Sequence, residues 1–341
     1  MTWVASASLA PVLVYGVLLF GLPALLVVAV ALGTALAAEL AATLPWRRFT
    51  LGDGSAFLTG LLLGLFLPAG APLYVPAAAS AFGILVVKQS FGGLGRNWMN
   101  PAMGGLLFVL VSWPGPSSQW IAPLGGPSAG PILPPLEALR AALAGAGAHG
   151  PTPLAVLANA GYAFSNLDGA VIGWINAHLL SPIGAPLRPG TFDVLVGHVA
   201  GGVGAGAAVV MIGVSWLLYR RIVGWQLPVL YLGTFAVLSL VFGGLGSGQG
   251  WFAGGPGFHL LSGSIVLAAF YAAPDPVTSP LTNAGRCTLG VVLGILTFFM
   301  RFFGSLGDGV AASVVLGNCV APLLDQWTSR RGPARSRSEA A

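Results

Sequence analysis

Acidic residues within or beside long apolar stretches are the first candidates for chemistry in this sequence. They are Glu39, Asp193, Asp275, Asp308 and Asp325. A charged group is expensive inside a bilayer, so an acid buried there marks a path for ions or protons. Asp275 lies between two prolines and Asp308 follows a glycine-rich stretch, and we assign both to such a path. The alternative for each is a helix N-cap or a solvated loop acid.

Two amide side chains stand in a glycine-rich interruption of the apolar pattern at 91–101. Asn97 and Asn100 can cap the helix that follows, or they can offer amide groups to a ligand ring. A second interruption of this kind occurs at 303–309. Lipid cannot satisfy the backbone polar groups of such segments, so they must be buried in protein, line a polar cavity or bind a ligand.

The histidines and cysteines form no pattern that favours a metal or a disulfide. The four histidines are scattered without the spacing of metal ligands, and both cysteines lie in apolar stretches away from any CxxC pattern. We therefore predict no metal site.

The composition that surrounds these residues is that of a membrane protein. Charged residues make up 7% of the 341 residues, against roughly 25% in soluble domains, and the mean hydropathy is +0.87. So few charges cannot cover the surface of a soluble fold of this length, whereas a bilayer accepts an apolar exterior. The formal net charge of +5 does not indicate nucleic-acid binding, because the basic residues form no stripe with interleaved aromatic residues.

Hydropathy predicts an all-α integral membrane protein with about ten transmembrane helices. The apolar runs of bilayer length fall at 5–20, 22–44, 55–71, 73–89, 100–114, 192–219, 226–243, 257–273, 286–303 and 309–326. If both termini are cytoplasmic, only Arg140, Arg188 and Arg301 of the 14 basic residues fall outside. This asymmetry is typical of multi-pass membrane proteins, so we predict ten spans with both ends inside.

The spans divide the chain into four parts. Spans 1 to 5 occupy residues 1–114, a long outside loop occupies 115–190, spans 6 to 10 occupy 191–327, and a basic cytoplasmic tail follows at 328–341. A loop as long as the outside segment usually carries function or is disordered. Within it, residues 133–145 and 167–180 are predicted to be helical, and the second helix either lies at the membrane interface or packs on the membrane domain.

Spans 3 to 5 and spans 8 to 10 resemble each other. LTG at 58–60 is echoed by LSG at 261–263, and FGGLG at 91–95 is echoed by FGSLG at 303–307. The first copy begins inside and the second begins outside, so the repeat is inverted, an arrangement that places binding sites where the halves meet. Chance matching of glycine-rich segments is the alternative.

Several motifs are similar to those of one family. Residues 92–103 read GGLGRNWMNPAM and resemble the GGLGxNxxNPAM signature of the RnfD/NqrB family, the membrane subunits of Rnf and Na⁺-translocating NADH:quinone oxidoreductase complexes. HLLSG at 259–263, DPVT at 275–278 and TNAGR at 282–286 resemble further family motifs in the same order, as do GDGVA at 307–311 and the segment 318–325. The short N-terminus is closer to RnfD.

The resemblance implies a flavoprotein. Family members carry FMN through a phosphoester to a threonine of the long outside loop and also hold riboflavin. Residues 146–154 correspond to the attachment motif and place the threonine at Thr152, although Ala146, His149 and Pro151 stand where the motif has Asp, Ser and Ala. The alternative for Thr152 is an N-cap followed by a proline at the first helical position. The flavin-binding residues that we predict are Thr152, Asn97, Asn100, Thr278 and Arg286.

A second departure from the family lies in span 6. There, GGVGAGA at 201–207 replaces the GSxGETS run of many members and lacks its acid and hydroxyl groups. A divergent branch with altered ion coupling or flavin content is one interpretation.

These observations predict a flavin-carrying subunit of an Rnf/Nqr-type complex in the bacterial inner membrane, which relays electrons between flavins and couples the transfer to Na⁺ or H⁺ movement. The sequence has no cysteine cluster for iron–sulfur and no nicotinamide fingerprint, so those functions are expected in partner subunits. The expected partners include a periplasmic flavoprotein subunit and membrane lipid. The rival hypothesis is a transporter or channel without redox chemistry.

Overall fold

A computed structural model describes residues 1–46, 50–121, 123, 165–180, 187, 189–245, 250–252, 254–304 and 306–329. Thr152, the predicted helix at 133–145 and the tail from 330 onward lie outside the described residues. The described residues form helices and no β-strand; a single isolated bridge joins Pro68 and Gly202.

The first half of the chain contains α1 to α6. Their bounds are α1 Thr2–Ser8, α2 Ala10–Phe20, α3 Leu22–Thr43, α4 Ser55–Phe66, α5 Tyr74–Phe82 with a π-helical turn at Gly83–Gln89, and α6 Pro101–Ser112.

The second part contains α7 to α14. The bounds are α7 Asn166–Ile175 with a π-helical turn at Asn176–Leu180, α8 Thr191–Val196, α9 Ala207–Tyr219, α10 Gln226–Phe242, α11 Pro256–Leu261, α12 Ile265–Leu267 with a π-helical turn at Ala268–Ala272, α13 Asn283–Phe303 and α14 Val310–Ser329. The helix predicted at 167–180 is thereby confirmed.

Four helical segments of the described chain are long and apolar enough to cross a membrane. They are Thr2–Phe20, Leu22–Thr43, Asn283–Phe303 and Val310–Ser329. Shorter apolar helices of 10–17 residues accompany them at Ser55–Phe66, Tyr74–Gln89, Pro101–Ser112, Ala207–Tyr219 and Gln226–Phe242. The described residues therefore form the all-helical part of a membrane protein.

Three of the predicted spans are interrupted rather than continuous. In the span predicted at 55–71, the helix stops at Phe66 and the remaining residues are not helical. The span at 192–219 has a non-helical segment at 197–206, and the span at 257–273 has one at 262–264. Two of the breaks pair with each other, because the Val203 N–H donates to Leu67 O (3.1 Å) and the Gly204 N–H donates to Leu65 O (2.8 Å). The buried irregular backbone thus obtains hydrogen bonds that lipid does not provide.

Glycines allow two helix pairs to approach closely. A Cβ on Gly64 of α4 would lie 2.8 Å from the Val28 Cα of α3, and a Cβ on Gly294 of α13 would lie 2.9 Å from the Tyr231 O of α10. Small residues are enriched where membrane helices pack against each other, because they let the two backbones approach closely.

Contacts between helix ends define one end of the bundle, called here the N-terminal end. Trp3 donates to Gly52 O (2.9 Å), Lys88 donates to the Ser55 hydroxyl (2.6 Å), and Arg286 of the first turn of α13 lines one cavity together with Lys88 and Ser55. Since α13 is 21 residues long, its last turn lies at the opposite end, about 30 Å away at 1.5 Å per residue.

Candidate ligand cavity

A cavity of about 500 Å³ opens at the N-terminal end of the bundle, within the range typical of small-molecule sites. Both halves of the chain contribute to its wall. The polar and aromatic lining includes Lys88, Asn97, Asn100, Phe270, Tyr271 and Asp275. The walls are otherwise mostly apolar, as expected for a site that holds a ring and orients it with a few polar groups.

Asn100 connects the two halves at this cavity. Its side-chain oxygen accepts from the backbone N–H groups of Ala102 (3.0 Å) and Met103 (3.2 Å), and so caps the N-terminus of α6. Its amide nitrogen donates to Ala272 O (3.3 Å) and to the Asp275 carboxylate (3.2 Å). The cap that the sequence predicted for this residue is confirmed, and its amide nitrogen is bonded to the other half of the chain.

Asn97 is buried at the same wall and has an unused acceptor. Its amide nitrogen donates to Met99 O at 2.9 Å, whereas its side-chain oxygen has no hydrogen-bond partner within the described residues. An unpaired buried acceptor costs free energy unless a ligand or water bonds to it.

Asp275 stands in the loop between the π-helical turn at Ala268–Ala272 and α13. One carboxylate oxygen accepts from the Val277 N–H (3.1 Å) and the other from Asn100 (3.2 Å). Burial raises the pKa of this carboxyl above its ordinary value, while the hydrogen bonds from Val277 and Asn100 act to lower it. The Asp275 side chain therefore stabilises its own loop by its bond to Val277, and it also lines the cavity.

Lys88 and Glu39 form a buried ion pair beside this cavity. Lys88 Nζ lies 2.8 Å from Glu39 Oε1, and the two side chains are 2% and 0% exposed. Charge counting places Lys88 in an inside loop, whereas the residue lies within the π-helical turn at Gly83–Gln89 and is buried. A lone lysine at the end of an apolar run was the available sequence signal.

Arg286 and Thr278 occupy different positions around the site. Arg286 lines the cavity, and its guanidinium Nε donates to Pro280 O at 2.9 Å. Thr278 is buried and instead lines an adjoining cavity, together with Asn97 and Asn318. Asn97 thus lies between the two cavities.

Asp308 lies away from these residues, at the opposite end of α13. Its carboxylate accepts from the Ser264 N–H (2.9 Å), the Ser264 hydroxyl (2.7 Å) and the Val310 N–H (3.3 Å). Arg301 donates to Asp308 O at 3.1 Å and is 9% exposed. Arg301, counted from the sequence as an outside loop cation, is therefore a buried residue, and it also connects α13 to α11 by donating to His259 O.

These features define a class of protein: a helical membrane bundle with interrupted helices and, between its two halves, a mostly apolar cavity lined by a few polar groups. The sequence matches the model of the NQR2, RnfD, RnfE family over residues 1–332. The chain belongs to this family, and the resemblance seen in its motifs is confirmed.

Named relatives, each a single subunit of a larger complex, align over nearly the whole chain. The chain is 33% identical to a subunit of the "Proton-translocating ferredoxin:NAD(+) oxidoreductase complex" of Clostridium ljungdahlii, over 96% of this chain and 88% of that protein. It is 35% identical to a subunit of the "Ion-translocating oxidoreductase complex" of Citrobacter koseri, over 92% and 88%. It is 31% identical to a subunit of the "Na(+)-translocating ferredoxin:NAD(+) oxidoreductase complex" of Acetobacterium woodii, over 98% and 90%.

Proposed function

We propose that this chain is the flavin-carrying, RnfD-type member of an ion-translocating oxidoreductase complex and relays electrons between flavins while Na⁺ or H⁺ moves. Family membership and the names of the relatives support the complex. The observation that supports flavin binding is the cavity that Asn97 and Asn100 of the first half line together with Asp275 of the second.

The residues at this cavity fit an isoalloxazine ring. The volume of about 500 Å³ suits a ligand of this size, and Phe270 and Tyr271 provide aromatic walls. Asn97 offers an acceptor for a ring N–H, while Lys88 and Arg286 offer donors. A flavin bound here would supply one- and two-electron chemistry, and the chain would hold the ring and set its potential. Riboflavin in this cavity is accordingly part of the proposal.

Covalent FMN at Thr152 is the second part of the proposal. It is supported by the match of residues 152–154 to the family attachment motif. Mass spectrometry of the intact purified chain should show the added mass of FMN, and Thr152→Ala should remove it. A flavin adduct that persists in the Thr152→Ala chain would refute this attachment site.

The proposed topology has ten spans in an inverted repeat with both termini in the cytoplasm of a bacterial cell. The positions of the two glycine-rich turns support this topology. The turn that begins after Gln89 is next to Lys88, at the N-terminal end of the bundle. The turn that begins after Phe303 is at the last residue of α13, at the opposite end of the bundle. In this topology the N-terminal end of the bundle faces the cytoplasm, and the end at which Asp308, Ser264 and Arg301 lie faces the periplasm. Asp275 and Asp308 would accordingly serve an ion path from opposite faces.

The partner subunits would supply what this chain does not. The proposed complex includes membrane subunits, peripheral subunits that accept electrons from ferredoxin or NADH, and a periplasmic flavoprotein. The competing function is a transporter or channel without redox chemistry, which Ala146 and His149 favour, since they stand where the flavin attachment motif has Asp and Ser. Purified protein that shows the yellow flavin absorbance band supports the redox function, and colourless protein that does not take up riboflavin supports the transporter.

A further inference from the structure

The Lys88–Glu39 pair has a direction relative to the cavity. Lys88 lines the cavity, whereas Glu39 is not among the described residues that line it and lies behind the ammonium group. Glu39 Oε1 accepts from both Lys88 (2.8 Å) and Thr50 (2.6 Å). The pair is neutral as a whole, but it presents its positive end to the cavity.

Stability alone does not account well for this pair. Desolvation offsets much of the attraction in a buried ion pair, and apolar residues of similar volume often stabilise a fold as well or better. The pair is also incompletely satisfied, because Glu39 Oε2 has no hydrogen-bond partner within the described residues. Lys88 is the single lysine of the sequence. Because its side chain is 2% exposed, its charge does not contribute to the solubility of the protein.

Lys88 retains bonding capacity toward the cavity. An ammonium group has three N–H donors, and among the described residues two of them are used by Glu39 Oε1 (2.8 Å) and by the Ser55 hydroxyl (2.6 Å). Ser55 in turn donates to the Asp53 carboxylate at 2.6 Å, and Asp53 also lines the cavity. The ammonium group is therefore fixed by hydrogen bonds at the wall, with a third donor for a ligand.

We infer that Lys88 raises the reduction potential of a flavin bound in this cavity, and that Glu39 is a positioning residue that holds the ammonium group and limits its effect. This inference rests on the proposed function. A flavin ring that takes up two electrons and one proton gains one negative charge, so a positive group at the wall binds the reduced form more tightly than the oxidised form. Groups of opposite sign must therefore shift the potential in opposite directions.

The experiment is a spectroelectrochemical titration of riboflavin bound to the purified full chain, carried out with Thr152→Ala so that only non-covalent flavin responds. Lys88→Gln should lower the potential, with about a tenfold loss of affinity for the reduced relative to the oxidised ring, which is about 30 mV for a two-electron couple. Glu39→Gln should raise the potential. Shifts of both variants in the same direction, or no shift in either, would overturn the inference.

Two further variants separate charge from folding. Lys88→Arg keeps the charge and should keep the potential near that of the unsubstituted protein. The double variant Lys88→Gln with Glu39→Gln replaces the pair by neutral amides and should give a potential between those of the single variants, even if one of these folds poorly. A chain that binds no riboflavin before any change at Lys88 refutes the proposed function together with this inference, whereas normal binding with unchanged potentials refutes the role of Lys88 alone.

Discussion

At the scale of single residues, Asn100 does two separable tasks. Its oxygen caps α6, and its nitrogen binds Ala272 and Asp275 across the boundary between the halves. Capping needs an acceptor, whereas the bridge needs a donor. Substitutions that keep one property and remove the other can therefore distinguish helix stability from cavity geometry.

Asn100→Ser should retain the cap, because serine is a good N-cap residue, but it should lose the bridge. Asn100→Ala should lose both and be less stable than the serine variant by about 1 kcal/mol. We expect both variants to bind riboflavin more weakly by similar factors. Thermal unfolding and riboflavin titration in detergent measure the two effects, and a serine variant with unchanged riboflavin affinity would contradict the role of the bridge.

At the scale of elements, α7 and α8 are joined by reciprocal hydrogen bonds. The buried Asp168 of α7 accepts from the N–H groups of Gly190 (2.6 Å), Phe192 (2.8 Å) and Asp193 (3.2 Å). Asp193 in turn accepts from the N–H and the hydroxyl of Ser165, both at 2.7 Å, and Ser165 caps α7. This connection fixes the end of the segment that contains Thr152 and that we propose to lie outside.

Asp168→Ala should leave two buried N–H groups and one partly buried N–H group without their acceptor, at a cost of about 1–3 kcal/mol for each group that finds no replacement. The outside segment should then be cleaved faster by protease added to the periplasmic side. Asp168→Asn, which keeps one acceptor oxygen, should be intermediate. Equal cleavage rates in all three proteins would show that the connection does not restrain the segment.

At the scale of the whole molecule, the proposed orientation places the two glycine-rich turns on opposite faces of the membrane. Leu94 is 49% exposed in the first turn, and Phe303 is 77% exposed at the second. Each position can therefore carry a label without disturbing the core. Cys287 and Cys319 would first be replaced by serine.

Leu94→Cys should react with a membrane-impermeant maleimide in inverted vesicles and not in intact cells stripped of their outer membrane. Phe303→Cys should show the reverse, because one turn would face the cytoplasm and the other the periplasm. Permeabilised membranes provide the control for full reactivity. Labelling of both cysteines from the same side would contradict the inverted arrangement.

The sequence by itself determined the class, the family and most helices of this protein. Low charge and long apolar runs leave a bilayer as the only compatible solvent, and the glycine-rich motifs identify the family. These properties are local, so they can be read along the chain. Asn97, Asn100 and Asp275 also stood out locally, since each follows a proline or glycine interruption.

Only the tertiary structure decided which of these residues meet. Asn100 and Asp275 are 175 positions apart, yet they share a hydrogen bond, while Asp308, which the sequence grouped with Asp275, lies at the other end of α13. Burial of Lys88 against Glu39 likewise depends on how α3, α4 and the π-helical turn pack, because neither partner lies near the other in the chain. Local patterns identify polar groups that need partners, and packing between distant helices chooses the partners.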